Sequence, residues 1–136
     1  MKELTIEAAI ENIERVTDFI NLELEKLNCP FKAEMQIDVA IDELFGNIAQ
    51  YAYSPETGKA TVRIEVEKNP LSVIITFIDK GKPFNPLETA EPDTTLSADE
   101  RQEGGLGIFL VKKSMDMVSY EYRNYHNILI IKKNLE

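Results

Sequence analysis

A chain of 136 residues that is 43% hydrophobic has material for one sizeable core and reads as a single domain over residues 1–136. A formal net charge of -9 argues against nucleic-acid binding as the main task, because a basic patch supplies most of that affinity; a local basic pocket for phosphates is still allowed. The lone Cys29 excludes an intramolecular disulfide and fits a reducing cytoplasm, and MKELTIEAAIENIERV, charged inside its first apolar run, reads as neither signal peptide nor membrane span.

Lys2 to Ile6 alternates weakly and predicts a short edge strand. From about Ala9 to Leu27 the apolar residues Ile10, Ile13, Val16, Ile20, Leu24 and Leu27 form one stripe of an amphipathic helix, which Asn28-Cys29-Pro30 ends. A second helix is expected from about Lys32 to Tyr51, with Ile37, Ala40, Ile41, Leu44, Phe45 and Ile48 inward. Ser54 to Gly58 is a loop by its turn residues. The period then changes to two. Val62, Ile64 and Val66, then Val73, Ile75 and Phe77, predict a hairpin around Asn69-Pro70.

Lys80 to Glu103 has few apolar residues and no period, and a loop of that length in a small domain is commonly a functional lid. A third helix should run from Gly105 to about Met115. Val118–Arg123 and Ile128–Lys132 should close the chain as a hairpin around Asn124-Tyr125-His126-Asn127. The expected fold class is α+β, a two-layer sandwich of a mixed, mostly antiparallel sheet with helices on one face.

Three polar segments carry the chemistry. Glu43 and Asn47 lie four residues apart on the second helix, which puts a carboxylate and a carboxamide one turn apart on one face. Asp79-Lys80-Gly81 ends an apolar strand, where a carboxylate can accept a hydrogen bond from an exocyclic amine. Gly104-Gly105-Leu106-Gly107 opens a helix, whose first N–H groups are unpaired and partly positive, and the glycines let a phosphate approach. Taken singly, each has a plainer role as surface acid, turn former or helix start. Tyr51, Tyr53, Tyr120 and Tyr122 read as core and sheet residues, His126 as a surface turn residue, and Lys112-Lys113 as a solvated helix face.

The order ExxxN helix, strand-end DxG, long polar lid and GxG-headed helix resembles the GHKL ATPase superfamily over nearly the whole chain. The segments IDELFGNIAQYAY, DKGKPFNPL and GGLGIFLVKKSMD look most like the bacterial anti-sigma-factor serine/threonine kinases. The resemblance implies a cytoplasmic regulator that uses ATP and Mg²⁺, binds a sigma factor, phosphorylates an antagonist protein on serine, and acts as a homodimer. It implies that Asn47 holds Mg²⁺, that Glu43 orients or deprotonates the serine hydroxyl, and that Asp79 receives the adenine amino group. Gly81 would let the loop pass the base; Gly105 and Gly107 would present amides to the phosphates; Leu87 to Glu103 would be the lid. Phe84, Gly104 and Leu106 complete the expected nucleotide-binding set.

The chain departs from the superfamily pattern at Pro83-Phe84, where a second glycine is common, and at Tyr51, where histidine is common. Glu103 stands where some relatives carry a cation; Arg101, Lys80 or Lys82 would have to serve instead. The alternative function is an ATP- or ADP-sensing module that transfers no phosphate. A detached histidine-kinase-type catalytic domain is a third option, lowered by the lack of a histidine-bearing dimerisation helix in this sequence.

Overall fold

The computed structural model describes residues 1–88 and 105–136; Arg101, Glu103, Gly104 and all of the expected lid beyond Glu88 lie outside the described residues. In chain order the elements are β1 (Lys2–Glu7), α1 (Ile13–Lys26), α2 (Phe31–Asn47), β2 (Lys59–Glu67), β3 (Ser72–Asp79), α3 (Gly105–Ser114), β4 (Met117–Arg123) and β5 (His126–Asn134). The strands form one sheet in the order β1-β2-β3-β5-β4. Every pairing is antiparallel, so the parallel part of the expected mixed sheet is missing among the described strands.

Alternation decides which side of the sheet is covered. Val62 and Ile64 on β2, Val73, Ile75 and Phe77 on β3, and Leu129 and Ile131 on β5 all face the core. Val16, Ile20 and Leu24 of α1, Ile37, Ile41, Leu44 and Phe45 of α2, and Ile108 and Val111 of α3 meet them there. Each such side chain contributes about 1.5–3 kcal/mol on burial, so this layer contact holds the domain together. The opposite sheet face, with Ile74, Ile78, Ile128 and Ile130, is only half covered. The α+β two-layer expectation therefore stands.

Several boundaries differ for physical reasons. Ala9 is extended (φ -131°), and Ile10–Asn12 forms a 3₁₀ turn before α1 begins at Ile13. The second helix ends as α at Asn47 and continues as a π turn through Ile48–Ala52, a widened turn often found at functional sites. The β4–β5 connection is tighter than expected. Arg123 pairs with His126, and Asn124 and Tyr125 both have positive φ (53° and 65°), so the turn has two residues and the twist suited to a hairpin. Asn127 thus belongs to β5 and not to the turn.

Candidate functional site

Asp79 is the last residue of β3 and lies in register opposite Asn127 of β5. Both are buried, at 5% and 6% exposure. Buried polar groups need partners, and Asn127 supplies most of them. Its Nδ2 donates to Asp79 Oδ1 (2.9 Å) and to the Lys82 carbonyl (2.9 Å), with the Gly81 carbonyl at 3.4 Å. Its Oδ1 accepts from the Phe84 N–H (3.2 Å) and the Tyr120 hydroxyl (2.5 Å). One amide thereby fixes the acid, the backbone of residues 81–84, and a tyrosine.

Asp79 Oδ1 also accepts the Gly81 N–H at 2.8 Å, whereas Oδ2 has no partner among the described residues. Burial pushes the Asp79 carboxyl above its ordinary range, and Asn127, the Gly81 N–H and the charge of His126 offset part of that rise. Beside it opens a cavity of about 550 Å³, walled by Leu44, Ile48, Phe77 and Leu129 and edged by Asn47, Lys82, Phe84 and Tyr120. An apolar slot with one unpaired carboxylate oxygen suits a flat heterocycle bearing an amino group.

The walls are held by close backbone contacts. Gly81 faces the π turn, and the Lys82 N–H donates to the Ala52 carbonyl at 2.9 Å. A Cβ on Gly81 would overlap the Ala52 carbonyl group. The glycine is therefore required by protein packing, independently of any ligand. Gly81→Ala should destabilise the fold by about 1–3 kcal/mol, read as a lowered urea midpoint with an unchanged slope. Tyr53 braces the same loop: its hydroxyl donates to the Lys59 carbonyl (2.6 Å) and accepts from the Lys80 N–H (2.8 Å). Lys82 Nζ donates to the Ser54 carbonyl at 2.6 Å.

Asn47 lines the cavity from the last turn of α2. Glu43, one turn earlier, is half-buried, and its carboxylate fills the space a Cβ on Gly107 would need. Burial, and then the charge of Asp42, push the Glu43 carboxyl up. The structure thus joins the first and third expected segments at Glu43 and Gly107, and the first and second at the cavity. Gly105 is the first residue of α3; Leu106 follows it and is exposed. Phe84 is half exposed at the cavity edge.

Three readings need correction. Tyr51 is neither core nor sheet: it sits in the π turn, 59% exposed, and lines the cavity. Lys112 is not simply solvated, because its Nζ donates to the Leu87 carbonyl at 2.6 Å and ties α3 to the first residue of the expected lid. Asn127, assigned to a turn, is the centre of the polar network.

Among the described residues no group of three His, Cys, Asp or Glu side chains could hold a metal. Asn47 offers one amide oxygen at the cavity edge, which fits an ion such as Mg²⁺ that arrives with phosphates and keeps waters, and does not fit a protein-built cage.

Comparison with known proteins bears on the family and the fold. Residues 6–133 match the family profile of the histidine kinase-like ATPase domain. The chain is 26% identical to serine/threonine-protein kinase BtrW of Bordetella bronchiseptica, over 70% of this chain and 66% of that one. It is 34% identical to serine-protein kinase RsbW of Bacillus pumilus, over 62% of this chain and 56% of that one. The matched part thus spans between about half and two thirds of these curated relatives. The catalytic domain of histidine kinase ThkA superposes with a TM-score of 0.51 at 15% identity, covering 99% of this chain and 98% of that one. The Acinetobacter baumannii histidine kinase AdeS does so with a TM-score of 0.51 at 13% identity, covering 100% of this chain and 70% of that one. At such identities these two likenesses speak for the fold alone. Profile and fold together place this chain in the family of histidine kinase-like ATPase domains, the GHKL-type ATPases.

Proposed function

We propose that the protein is an ATP-dependent serine/threonine kinase that also binds a sigma factor and phosphorylates an antagonist protein on serine. The family implies ATP binding. One observation carries the specific reading: an Asp79 oxygen without a partner among the described residues at an apolar cavity, with Asn47 at its edge and Glu43 one helical turn away. The serine-kinase names of the relatives and the segments matched in the sequence support the substrate class. Sigma factor and antagonist rest on the sequence resemblance.

In this reading Asp79 Oδ2 accepts a hydrogen bond from the adenine amino group, and Phe77 and Leu129 exclude water from the base. The first N–H groups of α3 face the phosphates. Mg²⁺, held at Asn47, would neutralise phosphate charge and fix the terminal group. Glu43 accepts the proton as the serine oxygen bonds to the γ-phosphorus and the bond to the ADP oxygen breaks. A carboxylate whose basicity is raised by burial holds that proton better than an exposed one. The half-covered isoleucines on the outer sheet face support a homodimer formed there. The cytoplasmic location rests on the sequence resemblance; no described helix is long and apolar enough to cross a membrane.

Incubation with γ-labelled ATP, magnesium and the proteins encoded beside it tests the reading. Label should appear on a serine of a small protein. Glu43→Gln should lower transfer roughly 10²–10⁴-fold and leave ADP affinity within about twofold. Transfer should also fall on acidification at a higher pH than an exposed glutamate would give, because only the carboxylate accepts the proton. Transfer unchanged in Glu43→Gln would remove the residue from its role. The packing of Glu43 on Gly107 favours a second reading, a nucleotide-sensing switch without transfer; nucleotide binding with no label on any protein would establish it.

A further inference from the structure

Toward the core α2 is apolar through Ala33, Ile37, Ala40, Ile41 and Leu44. Its outward side should then be polar. Instead Phe31, Met35 and Val39 recur at every fourth position there, 75%, 49% and 46% exposed. Steps of four place them in one row, and two further steps reach Glu43 and then Asn47. Twelve residues of helix, about 18 Å, separate Phe31 from Glu43. A second row at the same interval is acidic, with Glu34 and Asp38 half-buried and Asp42 exposed, and Lys32 is the one cation on the helix. Burial pushes the Asp38 carboxyl up, the Asn21 side chain offsets part of this, and the charge of Glu34 adds to the rise. The strip is apolar along one line, negative along the next, and leads to the base.

We propose that this outward strip of α2 docks the protein that carries the acceptor serine, through an apolar segment of that protein flanked by lysine or arginine. The proposal rests on the kinase reading and adds to it where the substrate is held. Charge complementarity selects the partner: a second copy of this acidic chain would bring like charge to the acidic row, whereas a basic segment neutralises it. Continuity with Glu43 sets the direction, since a partner seated over Phe31 to Val39 lies along the helix that carries the base.

The test uses the protein labelled in the γ-ATP assay as acceptor and compares the wild type with Met35→Ser/Val39→Ser and with Glu34→Lys. All three residues lie away from the cavity, so ADP affinity and the thermal midpoint report folding. The double variant should raise KM for the acceptor roughly tenfold with kcat unchanged. Glu34→Lys should raise KM similarly, by an amount that shrinks with added salt. An acceptor still labelled with wild-type KM by both variants would overturn the docking strip and leave the kinase reading intact. If the double variant instead changed self-association in sedimentation at constant KM, the strip would belong to a second copy and the proposal would fail. Absence of any labelled acceptor would remove the kinase reading and this proposal together.

Discussion

Asn127→Ala should lower the free energy of unfolding by about 2–4 kcal/mol and weaken ADP binding at least roughly tenfold. The substitution deletes two donors and one acceptor at a buried position. It leaves the Lys82 carbonyl, the Phe84 N–H and the Tyr120 hydroxyl without the bonds they now make. These three bonds are part-buried, so water offsets some of their loss, while Asp79, buried at 5% exposure, loses its only side-chain donor. Asp79 meanwhile keeps only the Gly81 N–H on Oδ1 and is free to rotate out of register with the cavity. Asn127→Asp makes the diagnosis sharper. Its oxygens can still accept from Phe84 and Tyr120, but a second carboxylate now faces Asp79, and one of the two must take up a proton. ADP affinity in that variant should be poor at neutral pH and recover on mild acidification, when the shared proton restores a donor. Urea denaturation and calorimetric titration with ADP at several pH values measure both effects. A wild-type urea midpoint in Asn127→Ala would mean that water replaces the amide at no cost.

Asp79→Asn is expected to weaken ADP binding roughly 10²-fold while leaving the fold as stable as the wild type or more so at neutral pH. An amide oxygen at the Oδ1 position can still accept from Gly81 and Asn127. The group turned toward the cavity becomes an NH₂, a donor set against the donor of an adenine amino group. Stability moves the other way. Burial raises the folded-state pKa of Asp79 above the ordinary carboxylate value, so the fold favours the protonated form. That contribution is fully present below the unfolded-state value, near about 4. It is lost as pH rises through the folded-state value, beyond which the protein carries a buried charge. The stability difference between variant and wild type should therefore be small at low pH and grow in favour of Asn as pH rises. Thermal midpoints from pH 3 to 7 with ADP titrations alongside check both signs, and an Asn variant that binds ADP as well as wild type would end the adenine assignment.

The segments that announced themselves in the sequence are those whose chemistry is set by local spacing. Glu43 and Asn47 share a helix face at four-residue spacing, which places them by period alone, and Asp79 closes the inward series Val73, Ile75 and Phe77, which the polar Thr76 marks although Ile74 and Ile78 on the other face are apolar too. The π turn is illegible because nothing in Ile48–Ala52 distinguishes a five-residue hydrogen-bond step from a four-residue one. Asn127 was hidden for a different reason. Ile128 to Ile131 is apolar at every position, so the run does not say which of its faces meets the core. Once Leu129 and Ile131 are known to point inward, counting back by two puts an amide in the core beside Asp79, and an inward amide demands a partner. Tyr51 likewise depended on the widened turn, which carries its ring to the cavity and away from the helical stripe.

The two-residue connection at Asn124-Tyr125 constrains how this domain can diverge. A one-residue slip of register across that turn would carry Asn127 to the opposite side of β5 and pull Leu129 and Ile131 out with it. A change in what the cavity accepts is therefore reached more readily by exchanging side chains at constant spacing than by slipping the register of this hairpin.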